Sequence, residues 1–169
     1  MYELAYLRIF AAWEAFLEES FLRLMCGYSS AGNVHPLKTQ PKPRTVQEAR
    51  VLVLNNKKYK LWHDPDIMVG RVAKFFTKVP GIDVPHDAVL GSATTLLKDL
   101  SHIRHHIAHL TEDTCSKYHD ATMNLCGIRF GRRCGRFLRS TYVDPATGLT
   151  ARWLDRICAD LKGLASQYL

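Results

Sequence analysis

The 169-residue chain carries 47% hydrophobic and 23% charged residues, the balance of a folded globular protein with one sizeable core, and a single domain over 1–169 is expected. That composition excludes a disordered chain, a collagen-like fibre and a small disulfide scaffold. Lys and Arg number 23 against 16 Asp and Glu, and the resulting +7 favours a polyanionic partner, nucleic acid before an anionic membrane surface.

No stretch approaches the roughly 18 uninterrupted apolar residues of a membrane helix, so no membrane association is expected. Glu3, Arg8, Glu14, Glu18 and Glu19 interrupt what would be a signal peptide, and the expected location is the cytoplasm. Five scattered cysteines (Cys26, Cys115, Cys126, Cys134, Cys158) form no C-x-x-C pair and read as reduced, mostly buried thiols.

In chain order, residues 2–26 carry Tyr6, Phe10, Trp13, Leu17, Phe21 and Leu24 at helical spacing and predict a long first helix. Prolines 36, 41 and 43 make 29–44 a loop. Thr45-Val46-Gln47-Glu48 has capping-box spacing and starts a second helix fading near Asn55-Asn56. Asp64-Pro65 caps and opens a third, to about Lys78. A fourth runs from about Asp87 through Leu110, and a fifth from about Thr114 to Leu125. Thr150 caps a last helix carrying Trp153, Ile157, Leu161 and Leu164. Strand signal is confined to a short β-hairpin around 128–143. The class is all-α, a bundle of about six helices.

Two segments carry chemistry. From 127 to 140 there are five arginines (Arg129, Arg132, Arg133, Arg136, Arg139), no acid, and Phe130 and Phe137 between them. Arginine forks with interleaved aromatics suit phosphate contact and base stacking, so RNA binding is assigned here.

The fourth helix holds His102, His105, His106 and His109. At about 100° per residue their offsets form one stripe, opposite Leu96, Leu100, Ile103, Ile107 and Leu110, so the histidines are expected to face away from the core. Arg104 borders the core face and needs an anionic or carbonyl partner. Glu14, a carboxylate inside the apolar stripe of the first helix, is the expected one.

The run Arg104-His105-His106-Ile107-Ala108-His109 resembles the signature of HEPN domains: an arginine, often followed by a polar residue, then four to six residues and a histidine. Trp13, Glu14, Phe16, Leu17 and Glu18 resemble the first helix of the ribosomal-protein-associated HEPN subgroup. The resemblance implies a HEPN-like helical bundle that forms a homodimer with the two motif helices facing each other. It also implies a metal-independent endoribonuclease that leaves a 2′,3′-cyclic phosphate and needs no cofactor. On that reading His109 transfers the proton, Arg104 stabilises the phosphate, and His105 positions either group. His102, His106 and Glu14 support them. A role as a toxin or phage-defence effector follows by analogy, with an antitoxin or other neutralising protein as partner. Where some HEPN toxins carry a tyrosine two residues after the motif histidine, this chain has Thr111, so silencing by modification there is not expected.

Two other readings use the same residues. His102 with His106, and His105 with His109, have the four-residue spacing of helical zinc ligands, with Asp99 as a third donor, in a metal-dependent hydrolase. A non-catalytic HEPN module would bind nucleic acid or a partner protein without turnover.

Overall fold

A computed structural model describes residues 1–28, 35–38, 41–55, 61–145 and 147–168. The all-α class holds: 66% of the chain is helical, in eight helices, with one short antiparallel hairpin near the C-terminus among the described residues. The helices are α1 (Tyr2–Met25), α2 (Val46–Leu54), α3 (Pro65–Phe75), α4 (Pro85–Ser92), α5 (Thr94–Ala108), α6 (Glu112–Cys126), α7 (Cys134–Arg139) and α8 (Trp153–Ser166). Strands β1 (Thr141–Val143) and β2 (Thr150–Arg152) pair with Tyr142 opposite Ala151. None of these helices is long and apolar enough to cross a membrane.

The chain divides into two compact units. Unit 1 comprises 1–12 and 95–164, and unit 2 comprises 13–94 and 165–169, so α1 supplies its first half to one and its second half to the other.

Local capping chemistry sets several boundaries. Thr45 accepts from Glu48 N at 3.2 Å, while Glu48 reaches back past its cap to Arg44 N at 2.8 Å. Asp64 accepts from Ile67 N at 3.1 Å, with Pro65 in the first helical position. Asn55 closes α2 in a left-handed conformation; its neighbour Asn56 lies outside the described residues, as do 29–34 and 39–40 of the proline loop.

Three boundaries depart from the sequence reading. The fourth helix is two, because Ala93 leaves helical geometry and Thr94 Oγ1 turns back to the carbonyls of Leu90 and Gly91, at 3.1 and 3.0 Å. The hairpin spans 141–152 rather than 128–143. Its turn is made by Asp144, whose carbonyl accepts from Gly148 N at 2.7 Å with Gly148 in the left-handed region. Thr150 is therefore a strand residue, and α8 starts at Trp153.

Unit 2 is built on aromatic packing. Phe21 lies edge-on to Phe75, Phe76 and His86, with ring centroids 6.2, 5.5 and 5.2 Å away, and tilted against Trp62 at 5.6 Å. Arg71 stacks over Trp62 at 4.4 Å. His86 is 1% exposed; its Nε2 faces Leu17 O at 3.2 Å and Ser20 Oγ at 3.1 Å, while Nδ1 has no hydrogen-bond partner among the described residues. Burial holds this imidazole neutral and lowers its pKa to about 3.

The folded state therefore binds fewer protons at His86 than the unfolded chain does, and stability drops as the pH is lowered. The His86 contribution is complete above an unfolded value of about 6.5 and declines by about 1.4 kcal/mol per unit below it, until the folded value near 3. Urea unfolding of wild type and His86→Gln at pH 7, 6, 5 and 4.5 checks this. The variant starts less stable and loses less on acidification; parallel curves would contradict the assignment.

Candidate functional site

Unit 1 carries both segments singled out by sequence. Its core is formed by Tyr6 and Phe10 from α1, Leu97, Leu100 and Ile103 from α5, Tyr118 and Ala121 from α6, Phe137 and Leu138 from α7, and Ile157 and Leu161 from α8, all buried. Tyr6 donates its hydroxyl to Leu100 O at 2.6 Å, fixing the carbonyl one turn before Arg104. Arg104 is half-buried, and its charge acts on Tyr6, opposing the rise that burial gives the phenol.

The four histidines do not share an environment, which corrects the expectation that all face away from the core. His106 is 1% exposed. Its ring stacks on Tyr118 at 4.8 Å and 12°, Nε2 lies 2.9 Å from Arg132 O, and Nδ1 lies 3.3 Å from Thr114 Oγ1. The physical reason is angular: His106 sits only about 60° around the helix from Ile103, on the edge of the stripe nearest the core. Leu96 and Ile107, assigned to the core face, are half-buried, and Leu110 is 79% exposed.

His102 is half-buried beside Asp99. Asp99 itself is buried, accepts from Asn124 Nδ2 at 3.1 Å, and has its pKa raised by burial against the opposing pull of Asn124 and His102.

His105 and His109 are exposed, with ring centroids 6.0 Å apart. His109 lies one residue beyond α5, in a chain segment whose backbone is tightly held. Its N–H donates to His105 O at 2.8 Å, and its carbonyl accepts from Thr111 N at 2.9 Å and from the Thr114 hydroxyl. Thr111 and Thr114 form the capping box of α6, so the cap that starts one helix fixes the exit of the previous one.

Glu14 does not lie in this unit. It belongs to unit 2, where its Oε1 stands 2.6 Å from Nδ1 of the buried His63. Among the described residues no three His, Cys, Asp or Glu side chains are grouped to hold a metal ion. Both nitrogens of His106 face protein oxygens, which removes it as a partner for His102 in the zinc spacing.

The arginine segment is also sorted by the fold. Phe137 is fully buried, stacked on Trp153 at 5.5 Å and edge-on to the half-buried Phe130 at 5.2 Å. Of the two aromatics expected to stack bases, Phe137 is therefore taken up by the core, while Phe130 stays half-buried against it. The arginines remain exposed. Arg132 pairs with Glu112 at 2.6 Å and Arg129 with Asp120 at 3.3 Å, both on the surface. Arg133, Arg136 and Arg139 line a groove of roughly 640 Å³ together with Arg132, His106, Ile107, Leu110, Tyr2 and Glu3. Glu3 anchors the wall by accepting from Gly135 N at 2.8 Å.

Sequence reasoning missed Tyr2, Ile107 and Leu110 as groove residues. The signal available was that Ile107 and Leu110 bracket His109 at a helix end, where apolar side chains outlast the core that would cover them.

All five cysteines are free thiols; Cys115 and Cys134 are buried and the other three half-buried. Burial and the neighbouring Glu3 charge push the Cys134 thiol up to about 12, which keeps it protonated.

The fold and site together define a helical protein with an exposed histidine pair and an arginine-lined groove on one unit. No family model matches the chain, and no curated protein or solved structure matches it either.

Proposed function

We propose that this chain is a metal-independent endoribonuclease that acts as a homodimer, in line with its resemblance to HEPN domains. The observation that carries the reading is the His105–His109 pair. Both rings are exposed at the end of α5, with the backbone of His109 held from both sides, while His106 between them is committed to the core. An exposed imidazole on an immobilised backbone suits general acid–base work.

In the proposed reaction a ribose 2′-hydroxyl attacks the adjacent phosphorus. A histidine takes the hydroxyl proton, the P–O5′ bond breaks, and a proton is delivered to the departing 5′-oxygen. The products are a 2′,3′-cyclic phosphate and a 5′-hydroxyl. Arg104 holds the phosphate oxygens as charge builds on the pentacoordinate phosphorus. His109 moves the proton and His105 orients it. Two copies of α5 at a two-fold axis supply one histidine as base and the other as acid. A cellular role as a toxin or defence effector, restrained by a neutralising protein, rests on the family analogy alone.

The test is incubation of purified protein with RNA in EDTA, with analysis of the product ends and sedimentation of the protein. Cyclic phosphate ends from a dimer support the reading. Cleavage that stops in EDTA and returns with zinc would replace it with metal chemistry, and binding without cleavage would leave a nucleic-acid-binding module.

A further inference from the structure

The groove of unit 1 divides the five arginines into two sets. Arg129 and Arg132 already face the carboxylates of Asp120 and Glu112. The side chains of Arg133, Arg136 and Arg139 have no acidic partner among the described residues, and all three line the groove. Arg136 and Arg139 stand three positions apart on α7, with about 5 to 6 Å between their Cβ atoms, and Arg133 precedes them as the extended residue that caps the helix start. That interval is comparable to the step between successive phosphates of a single strand. The same groove is lined by the apolar Ile107 and Leu110, by Tyr2, and by Glu3, whose carboxylate is taken up by Gly135 N. Leu110 stays 79% exposed and is available to an unpaired base.

We propose that this groove is a track for a single-stranded RNA segment, with Arg133, Arg136 and Arg139 each taking one of three consecutive phosphates and the Ile107–Leu110 wall receiving an unpaired base. The choice of a phosphodiester over an acidic peptide rests on the endoribonuclease reading, because Ile107 and Leu110 bracket His109 in the chain. A second copy of this basic chain is disfavoured as occupant, since two-fold pairing through the groove would bring like charges together. A duplex fits poorly, because its bases are stacked away from the apolar wall. Arg129, which does not line the groove, takes no direct part.

The experiment is fluorescence anisotropy on the intact protein with a labelled 12-nucleotide 2′-O-methyl oligouridylate, which lacks the attacking hydroxyl and so reports binding alone. Arg133→Ala/Arg136→Ala/Arg139→Ala is expected to weaken binding by more than about tenfold and to reduce the salt slope by about 2, near 0.7 for each of three single-strand phosphates. The corresponding triple lysine variant keeps the charge but not the fork and recovers part of the affinity. Arg129→Ala, outside the groove, is expected to stay within about twofold of wild type, and a blunt duplex of equal length to bind at least about tenfold more weakly.

Wild-type affinity in both triple variants would overturn the proposal. Equal binding of the duplex would reduce the groove to a non-selective basic patch. Poly-L-glutamate binding as tightly, with the same arginine dependence, would replace RNA with an acidic protein partner. Cleavage plays no part in this readout. An inactive protein that still shows the arginine dependence sinks the catalytic reading and keeps the groove, and an active protein without it does the reverse.

Discussion

Replacing His109 by alanine is expected to lower RNA cleavage in EDTA by at least about a hundredfold, the lower range for a positioned general acid or base. Stability should not follow. The His109 side chain is exposed, and what fixes this segment is its backbone, bonded to His105, Thr111 and Thr114 and untouched by the substitution. Thermal melting should therefore stay within the range of about 0.5 kcal/mol seen for surface substitutions. Added imidazole should restore part of the rate, because the missing group is a proton carrier rather than a structural support. Cleavage at the wild-type rate, or a variant that no longer folds, would remove His109 from the assigned role. Arg104→Ala belongs beside it, with Arg104→Lys as the conservative comparison, since a single ammonium supplies charge without the planar fork.

His106→Ala should behave in the opposite way. Its ring is buried against Tyr118 and bridges the end of α5 to Arg132 O, so its removal leaves a cavity and an unpaired carbonyl. The cost should be about 3 kcal/mol, combining a core truncation with a lost buried hydrogen bond. In a chain of this size that lowers the melting temperature on the order of 10 °C. His106→Gln, which can still present an N–H to Arg132 O, should lose about half as much. If His106→Ala melts like wild type but fails to cleave RNA, the residue acts in the chemistry and its placement in the core is wrong. Two histidines three positions apart thus make a matched pair, one expected to cost activity without stability and the other stability first.

That pair also shows what the sequence conveys. Caps are local, and Thr45, Asp64 and Pro65 announce their helices because the residues that satisfy the end N–H groups lie within one turn. Helical phase is legible too, since Leu100 and Ile103 fall on the buried stripe as the spacing predicts. Phase fails at the margin, where residue type and angle conflict: His106 is polar by type and buried by position. The same conflict misplaces Phe137, which alternates with arginines in the chain yet packs inward against Trp153, with the half-buried Phe130 edge-on to it.

Contacts between distant segments leave no trace in periodicity. Glu3 meets Gly135 N across 132 positions, and Glu14 meets His63 across 49, so the wall of the groove and the Glu14–His63 contact emerge only in three dimensions. The groove that Ile107 and Leu110 help to line is not legible in the sequence.

The capping box at the start of α6 has a consequence for how cheaply His109 can act. A residue just past a helix end would ordinarily wander among several backbone wells, and confining it costs about 1 to 2 kcal/mol. Here the hydroxyl of Thr114 and the N–H of Thr111 impose that confinement when the chain folds, before the proposed reaction begins. On encounter only the imidazole's own rotations remain to be ordered. The difference is worth on the order of tenfold in the fraction of encounters that find the ring already on station.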